Sequence, residues 1–435
     1  MIDTERPPSA PLDLEPPEVP ARRLGTMVDG MVGSEILKVA AEVRRLRESG
    51  VELCDLTVGD FAPGEFRIPA ALEQGIVRAL RAGQTHYPPA NGLPELRRAV
   101  QGFYRRALGL DYPYEGVLIA GGARPLIFAV FRAVLDPGDR VVYPVPSWNN
   151  NHYTHLCRAE AVAVPARAED GFLPTAEALQ PRLAGARLLA LNSPLNPAGT
   201  GFAREQLRAI ARLVVEENRS RRARGERPLF LLYDQIYWLL ADETAPHRTP
   251  VELEPEVAPY TVFVDGISKA FAATGLRVGW AVGPPYLVSR LSDLLGHVGA
   301  WAPRPEQAAT AEILAEPGRA EELAAAVGEA VSRRLRALWE GLEGLRRQGL
   351  PVAALPPAGG LYLSARFDLV AELGSNESIR RHLLERAGFA AVPFQAFGLE
   401  EESGWFRLSV GAVSLEDIAR AMPRLETAVR GAARR

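Results

Sequence analysis

Hydrophobic residues in this chain keep two rhythms, and their alternation sketches the fold. Between about residues 69 and 300, short and nearly unbroken apolar runs recur: VLIA (117–120), RVVYP (140–144), AVAVP (161–165), RLLALN (187–192), LFLLYD (229–234), TVFVD (261–265) and VGWAVG (278–283). Runs this apolar suit parallel strands covered on both faces. Segments with helical spacing lie between many of them, including PLIFAVFRAVL and AREQLRAIARLVVEE. Strands alternating with helices predict a doubly wound α/β sheet.

Outside that region the texture differs. SEILKVAAEVRRLR (34–47) reads as a helix with a Ser cap and a Gly50 stop, and LTVGDFAPGEF as a short strand entering a loop. After residue 310 come a long Ala/Glu/Arg helix, strands at LYLSARF, AAVPF and WFRLSV, and a last helix from Leu415. The expected division is a large domain over 69–305 and a smaller α+β domain built from 26–68 and 306–435. Residues 1–25, rich in proline and acid at their start, read as an extended or disordered arm without the apolar run of a signal peptide.

Charge narrows the function. A net charge of -3 argues against a broad nucleic-acid footprint, and the basic stretch NRSRRARGERP (218–228) reads as a solvated extension. Cys54 and Cys157 lack metal-ligand spacing and suit reduced thiols. No metal site is expected, and no stretch reaches membrane-spanning length, so the expected home is the cytoplasm. Among 50 basic residues only Lys38 and Lys269 are lysine. A lysine kept where arginine is the habit suggests chemistry needing an amine that can lose its proton.

Several strand ends carry polar groups. Asp234 closes LLYD with Tyr237 three residues on, where one helical turn would put both side chains on one face, although a lone Asp there reads as a helix cap or turn acid. NSPLNPAG (192–199) makes a rigid turn offering Asn196, and alone it is a plain loop. AGGARP (120–125) is a Gly-rich turn opening a helix at Ala123 and Arg124, a place where free N–H groups bind anions. Trp148 follows another strand end and reads as core or as a stacking plate. Together, an amine, an anion-binding helix start, an acid, an Asn, a Tyr and an aromatic plate suit a planar phosphorylated aldehyde with a ring nitrogen.

With these motifs in order, the sequence resembles the class I/II aminotransferases, fold type I enzymes that use pyridoxal 5′-phosphate. NSPLNPAGT resembles the family's Asn-Pro-x-Asn-Pro-Thr-Gly, DQIY its Asp-x-x-Tyr, and SKAFAATGLRVG its Ser-Lys…Gly-x-Arg-x-Gly signature; YPPANGLPELR and DPGDRV match further stretches. The resemblance covers about residues 30 to 430 and implies a mostly parallel seven-stranded sheet plus a smaller α+β domain. It implies Lys269 as the Schiff-base lysine, Asp234 as partner of the pyridine nitrogen, Asn196 and Tyr237 on the phenolic oxygen, and Trp148 against the ring. Ala123, Arg124, Ser268 and Arg277 would hold the phosphate, with Tyr87 reaching it from the neighbouring subunit of a homodimer. Arg407 would clamp the substrate α-carboxylate, against the plainer reading of a surface ion pair, and Gly59 would contact substrate through its backbone.

Two departures stand out. Gly266 replaces the first serine of the usual Ser-x-Ser-Lys, removing a hydroxyl from the phosphate site. Arg124 stands where a branch of aspartate aminotransferases has a lysine for the distal carboxylate, so it serves acidic substrates, phosphate or solvent. The expected activity is ping-pong transfer of an amino group between an L-amino acid and a 2-oxo acid. The alternative is a β-lyase or decarboxylase on the same scaffold. Asn149, Asn150, Asn151, His152, Trp301 and Arg304 are further candidates for the pocket wall.

Overall fold

The computed structural model describes residues 25–31, 33 and 35–434. The Ser34 cap and, apart from Gly25, the N-terminal arm lie outside these residues. Residues 1–33 and 34–435 form separate units. In the first, Thr26–Asp29 make one helical turn.

In the second unit, seven strands form the large sheet: β1 (Val117–Ala120), β2 (Arg140–Val145), β3 (Glu160–Pro165), β4 (Ala186–Asn192), β5 (Phe230–Asp234), β6 (Thr261–Gly266) and β7 (Gly279–Val282). Their order is β1-β7-β6-β5-β4-β2-β3, and only β7 runs antiparallel to its neighbours. All seven expected strands are present. Alternate residues of each run feed opposite cores. Leu189, Leu191, Leu231, Tyr233 and Phe263 join the core that includes helix Arg204–Arg224, while Leu188, Ala190, Leu232, Val262 and Val264 join the one under helix Ala123–Val134. Burial on both faces is why these runs lack polar alternation, each buried Leu or Val contributing about 1.5–3 kcal/mol.

The smaller sheet is antiparallel. Its strands β8 (Val352–Ala354), β9 (Tyr362–Phe367), β10 (Val392–Pro393) and β11 (Trp405–Ser409) lie in the order β10-β11-β9-β8. Helices Arg319–Arg347 and Leu415–Ala432 share its core, and Ser414 with Asp417 closes a capping box on the latter. The expected strand over AAVPF is shorter: Pro393 has no N–H to extend the ladder, and Phe394 starts a 3-10 turn. The strand sought in LTVGDF lies just upstream, at Cys54–Asp55, paired with Phe389–Ala390.

Strand β9 also fixes the loop after β4. Ser364 Oγ donates to the Ala198 carbonyl at 2.9 Å. Gly199, at φ +70°, lies so close that a Cβ would stand 1.9 Å from the Tyr362 carbonyl oxygen. No side chain fits there, so the NSPLNPAG loop and the small sheet meet backbone to backbone.

Candidate active site

The C-terminal ends of β4, β5 and β6 open into a cavity of about 620 Å³. Asn192 and Asp234 sit opposite each other in β4 and β5. The Asn192 amide donates to the Asp234 carbonyl at 2.9 Å, and its oxygen accepts from the Asn196 N–H at 2.8 Å. One side chain thus ties the loop to the sheet. The Asp234 carboxylate lines the cavity and accepts the Ile236 N–H at 3.1 Å. Burial pushes its pKa up to about 7, with that N–H pulling the other way. Tyr237 joins Asp234 on the wall, but through a turn that enters a 3-10 helix rather than the helical turn expected.

Across the cavity stands Lys269, on the short helix Ile267–Ala270 after β6. Its Nζ donates to the Gly59 carbonyl at 2.6 Å. Burial leads in pushing its pKa down to about 8; Asp60 opposes, while Arg407, Arg124 and Arg277 add to the depression. Such an amine changes protonation state near neutral pH, which an unperturbed lysine does not.

Arg407 lies in β11 and is 1% exposed. It donates to Thr57 O at 2.5 Å and to Asn196 Oδ1 at 3.2 Å, its guanidinium lies 4.7 Å from the Tyr362 ring centre, and among the described residues Nε has no partner. Among the described residues it makes no ion pair, so the surface-pair reading fails. A buried guanidinium on a cavity wall, with no carboxylate partner among the described residues, is built to meet an anion.

The opposite end of the cavity suits a second anion. Gly122 (φ +93°) precedes helix Ala123–Val134 and caps it with no side chain, leaving its first N–H groups available. Arg277 packs so tightly on Gly122 that a Cβ there would lie 2.1 Å from its Nη2. Its own backbone is left-handed at φ +56°, a cost that persists only where surroundings fix it; bonds to Thr274 O (2.7 Å) and Gly121 O (3.1 Å) aim the head. Ser268 is buried and lines the same cavity. Arg124, exposed at the mouth, holds its guanidinium 4.5 Å from the centre of the Trp148 ring.

This arrangement accompanies a match to "Aminotransferase class I and II" over residues 51–425. The chain belongs to that family. It is an aminotransferase, and the family works with pyridoxal 5′-phosphate on small molecules. Among its relatives is the aspartate/prephenate aminotransferase of Thermus thermophilus, 33% identical over 413 residues, 93% of this chain and 98% of the relative. A solved structure of the Thermus thermophilus aspartate aminotransferase with maleate covers 94% of this chain and all of its own, at TM-score 0.83 and 31% identity. The Rhizobium meliloti aspartate aminotransferase superposes at TM-score 0.84, 27% identical, covering 94% of this chain and 99% of its own. Among the described residues of this aminotransferase, no helix is long and apolar enough to cross a membrane, and no group of three or more His, Cys, Asp or Glu side chains is placed to hold a metal ion.

Most of the predicted site residues meet. Gly59, Ala123, Arg124, Trp148, Asn196, Asp234, Tyr237, Ser268, Lys269, Arg277 and Arg407 all line the cavity. Tyr87 does not; it is 80% exposed, against Trp301. Of the further wall candidates, Asn149 and Asn150 take part, whereas Asn151, His152, Trp301 and Arg304 do not. The sequence reading missed Thr57, Asp60, Tyr153, Thr274 and Tyr362 on the wall. Tyr362 sits in an apolar strand with nothing in its pattern to distinguish it from core. Gly266 has a steric reason: a Cβ there would lie 2.6 Å from the Val278 carbonyl oxygen and 2.8 Å from Gly279 Cα.

Proposed function

We propose that this aminotransferase binds pyridoxal 5′-phosphate in the cavity and moves amino groups between dicarboxylic L-amino acids and 2-oxo acids. The observation that carries it is a half-buried amine of pKa about 8 sharing one cavity with a buried guanidinium that has no ion pair among the described residues and a half-buried carboxylate. The residues fit the cofactor. The uncapped helix start at Ala123 and Arg124, with Ser268 and Arg277, would hold its phosphate. Asp234 would keep the ring nitrogen protonated, Asn196 and Tyr237 would face the phenolic oxygen, and Trp148 would lie against the ring. Bound there, the group supplies an electrophilic carbon and a ring that accepts electrons.

The chain's own residues do the rest. Arg407 receives the substrate α-carboxylate on its guanidinium, oriented by Asn196 and the Thr57 carbonyl. Gly59, whose carbonyl steadies Lys269, offers its backbone to the substrate. Lys269 Nζ would take the proton from the substrate α-carbon as a free amine and, as an ammonium, give it up to the electrophilic carbon that the cofactor would supply, which a pKa near 8 permits at physiological pH. Arg124, over Trp148 and paired with no acid among the described residues, is placed to meet a distal carboxylate; the relatives' names and the maleate in one of them support that preference. Nothing in the cavity favours the β-lyase or decarboxylase alternative.

We infer a homodimer in which Tyr87 serves the neighbouring subunit's phosphate. The two cysteines are free and buried, which suits the cytoplasm. The test is a panel of amino acids in the first half-reaction, read as 2-oxo acid formed. Lys269→Ala should yield none. Arg124→Ala should raise KM for aspartate and glutamate about tenfold or more while leaving alanine unchanged, a charge-assisted bond being worth about 1.5–3 kcal/mol. Equal effects on all three substrates would remove the distal-carboxylate role.

A further inference from the structure

Tyr362 is 1% exposed, yet its hydroxyl reaches the cavity wall. Among the described residues that hydroxyl has one hydrogen-bond partner, Tyr237 Oη at 2.9 Å. Three contacts fix the ring. The Arg407 guanidinium lies over it, 4.7 Å from the centre, and the Tyr237 ring meets it edge-on at 5.6 Å. Gly59 closes the third side so tightly that a Cβ there would stand 2.6 Å from Tyr362 Oη. Gly59 also accepts the Lys269 hydrogen bond. Tyr362 therefore touches the group proposed for the α-carboxylate, the loop that steadies the lysine, and the hydroxyl proposed for the cofactor's phenolic oxygen.

We propose that Tyr362 is a positioning residue that acts through Tyr237: its O–H donates to Tyr237 Oη, which commits the Tyr237 proton to the cofactor's phenolic oxygen. The inference rests on the proposed cofactor reading. A phenol has one proton and can also accept. When Tyr362 fills the acceptor side of Tyr237, the remaining proton must point into the cavity, and donor chains of this kind strengthen each bond. The cation over the Tyr362 ring favours electron withdrawal from its hydroxyl and makes it the better first donor. A stronger donor on the phenolic oxygen stabilises negative charge there, so a proton shared between that oxygen and the neighbouring nitrogen leaves at lower pH.

The test reads the visible absorbance of the cofactor-loaded protein against pH, without turnover. Tyr362→Phe keeps the ring under Arg407 and deletes only the hydroxyl; a thermal melt checks that it folds. Its transition should move up by about 0.5 to 1 pH unit, the size expected for one hydrogen bond. Tyr237→Phe should move it at least as far, and adding Tyr362→Phe to that variant should change nothing more. A Tyr362→Phe midpoint equal to wild type, or an equal shift in both backgrounds, overturns the role assigned to Tyr362. A wild-type protein that, mixed with pyridoxal 5′-phosphate, shows no pH-dependent visible band beyond that of the free cofactor overturns the cofactor reading itself, a separate and recognisable result.

Discussion

Asp234 sets a carboxylate against an apolar sheet end, and in the cofactor-free protein that position is unfavourable. Its pKa stands at about 7 in the fold against 3.8 as the unperturbed value. Between those values the folded state binds more protons than the unfolded one, so stability falls as pH rises through that window. A shift of about three units amounts to roughly 4 kcal/mol as an upper figure, reduced by water in the cavity. Asp234→Asn should thus stabilise the cofactor-free protein at pH 8, less at pH 5, and not at all below about pH 4. Melting temperatures of both proteins at pH 5 and 8 provide the check; an advantage of the variant that does not grow with pH would contradict the assignment. In activity the sign reverses, because the variant has no charge to hold the ring nitrogen's proton. Such a trade of stability for function is common at active sites. At this scale the sequence was legible at Asp234, Asn196, Lys269 and Arg407, polar residues at strand ends or in apolar surroundings, but not at Thr57, which interrupts an apolar run as plainly. Tyr362 and Tyr153 escaped because a tyrosine in an apolar element looks like core until its hydroxyl is placed.

Between elements, the pairing of β6 with β7 settles the Gly266 departure. Gly266 faces Gly279 across the antiparallel pair, and Gly279 in turn leaves no room beside Gly122, where a Cβ would stand 2.6 Å from backbone carbon. Two bare backbones stack here so that the lysine turn, the arginine loop and the anion-binding helix start can converge. Gly266→Ser, which restores the serine of the resemblance, should therefore cost about 1–3 kcal/mol of stability by overpacking. Denaturant midpoints measure it, and an unchanged midpoint with tighter cofactor binding would show that the hydroxyl was merely missing. The seven large-sheet strands were readable because burial on both faces demands continuous apolar runs. The strand over AAVPF was overextended because apolar character alone does not reveal where a ladder ends, and Pro393 ends it. The turn at 234–237 read as helical on spacing, but strand and turn place those two side chains together equally well. The charge run at 218–228 proved local: Arg219 pairs with Glu256, Arg224 with Glu226, and Arg227 with Asp136 and Asp139.

For the whole molecule, the surface near Tyr87 poses the remaining question, since one chain gives that tyrosine little to do. Its ring stands 80% exposed, against Trp301 at 5.2 Å. Val298, at the end of helix Pro285–Val298, is 64% exposed, and Gly296 on the same helix approaches Ala90. The loop of Tyr87 and this helix end thus form one face with uncovered apolar groups, as a self-complementary interface requires. If that face meets its copy, cofactor affinity must depend on protein concentration, because part of the phosphate site arrives with the second chain. Sedimentation should show a species of twice 47.2 kDa. Val298→Glu should shift it toward monomer and weaken pyridoxal phosphate binding most at low protein concentration. Tyr87→Phe should leave the dimer intact and weaken cofactor binding by about tenfold or less, the range of one hydrogen bond. The two variants separate assembly from contact: a Val298→Glu monomer that binds cofactor as tightly as wild type would show that each chain completes its own site.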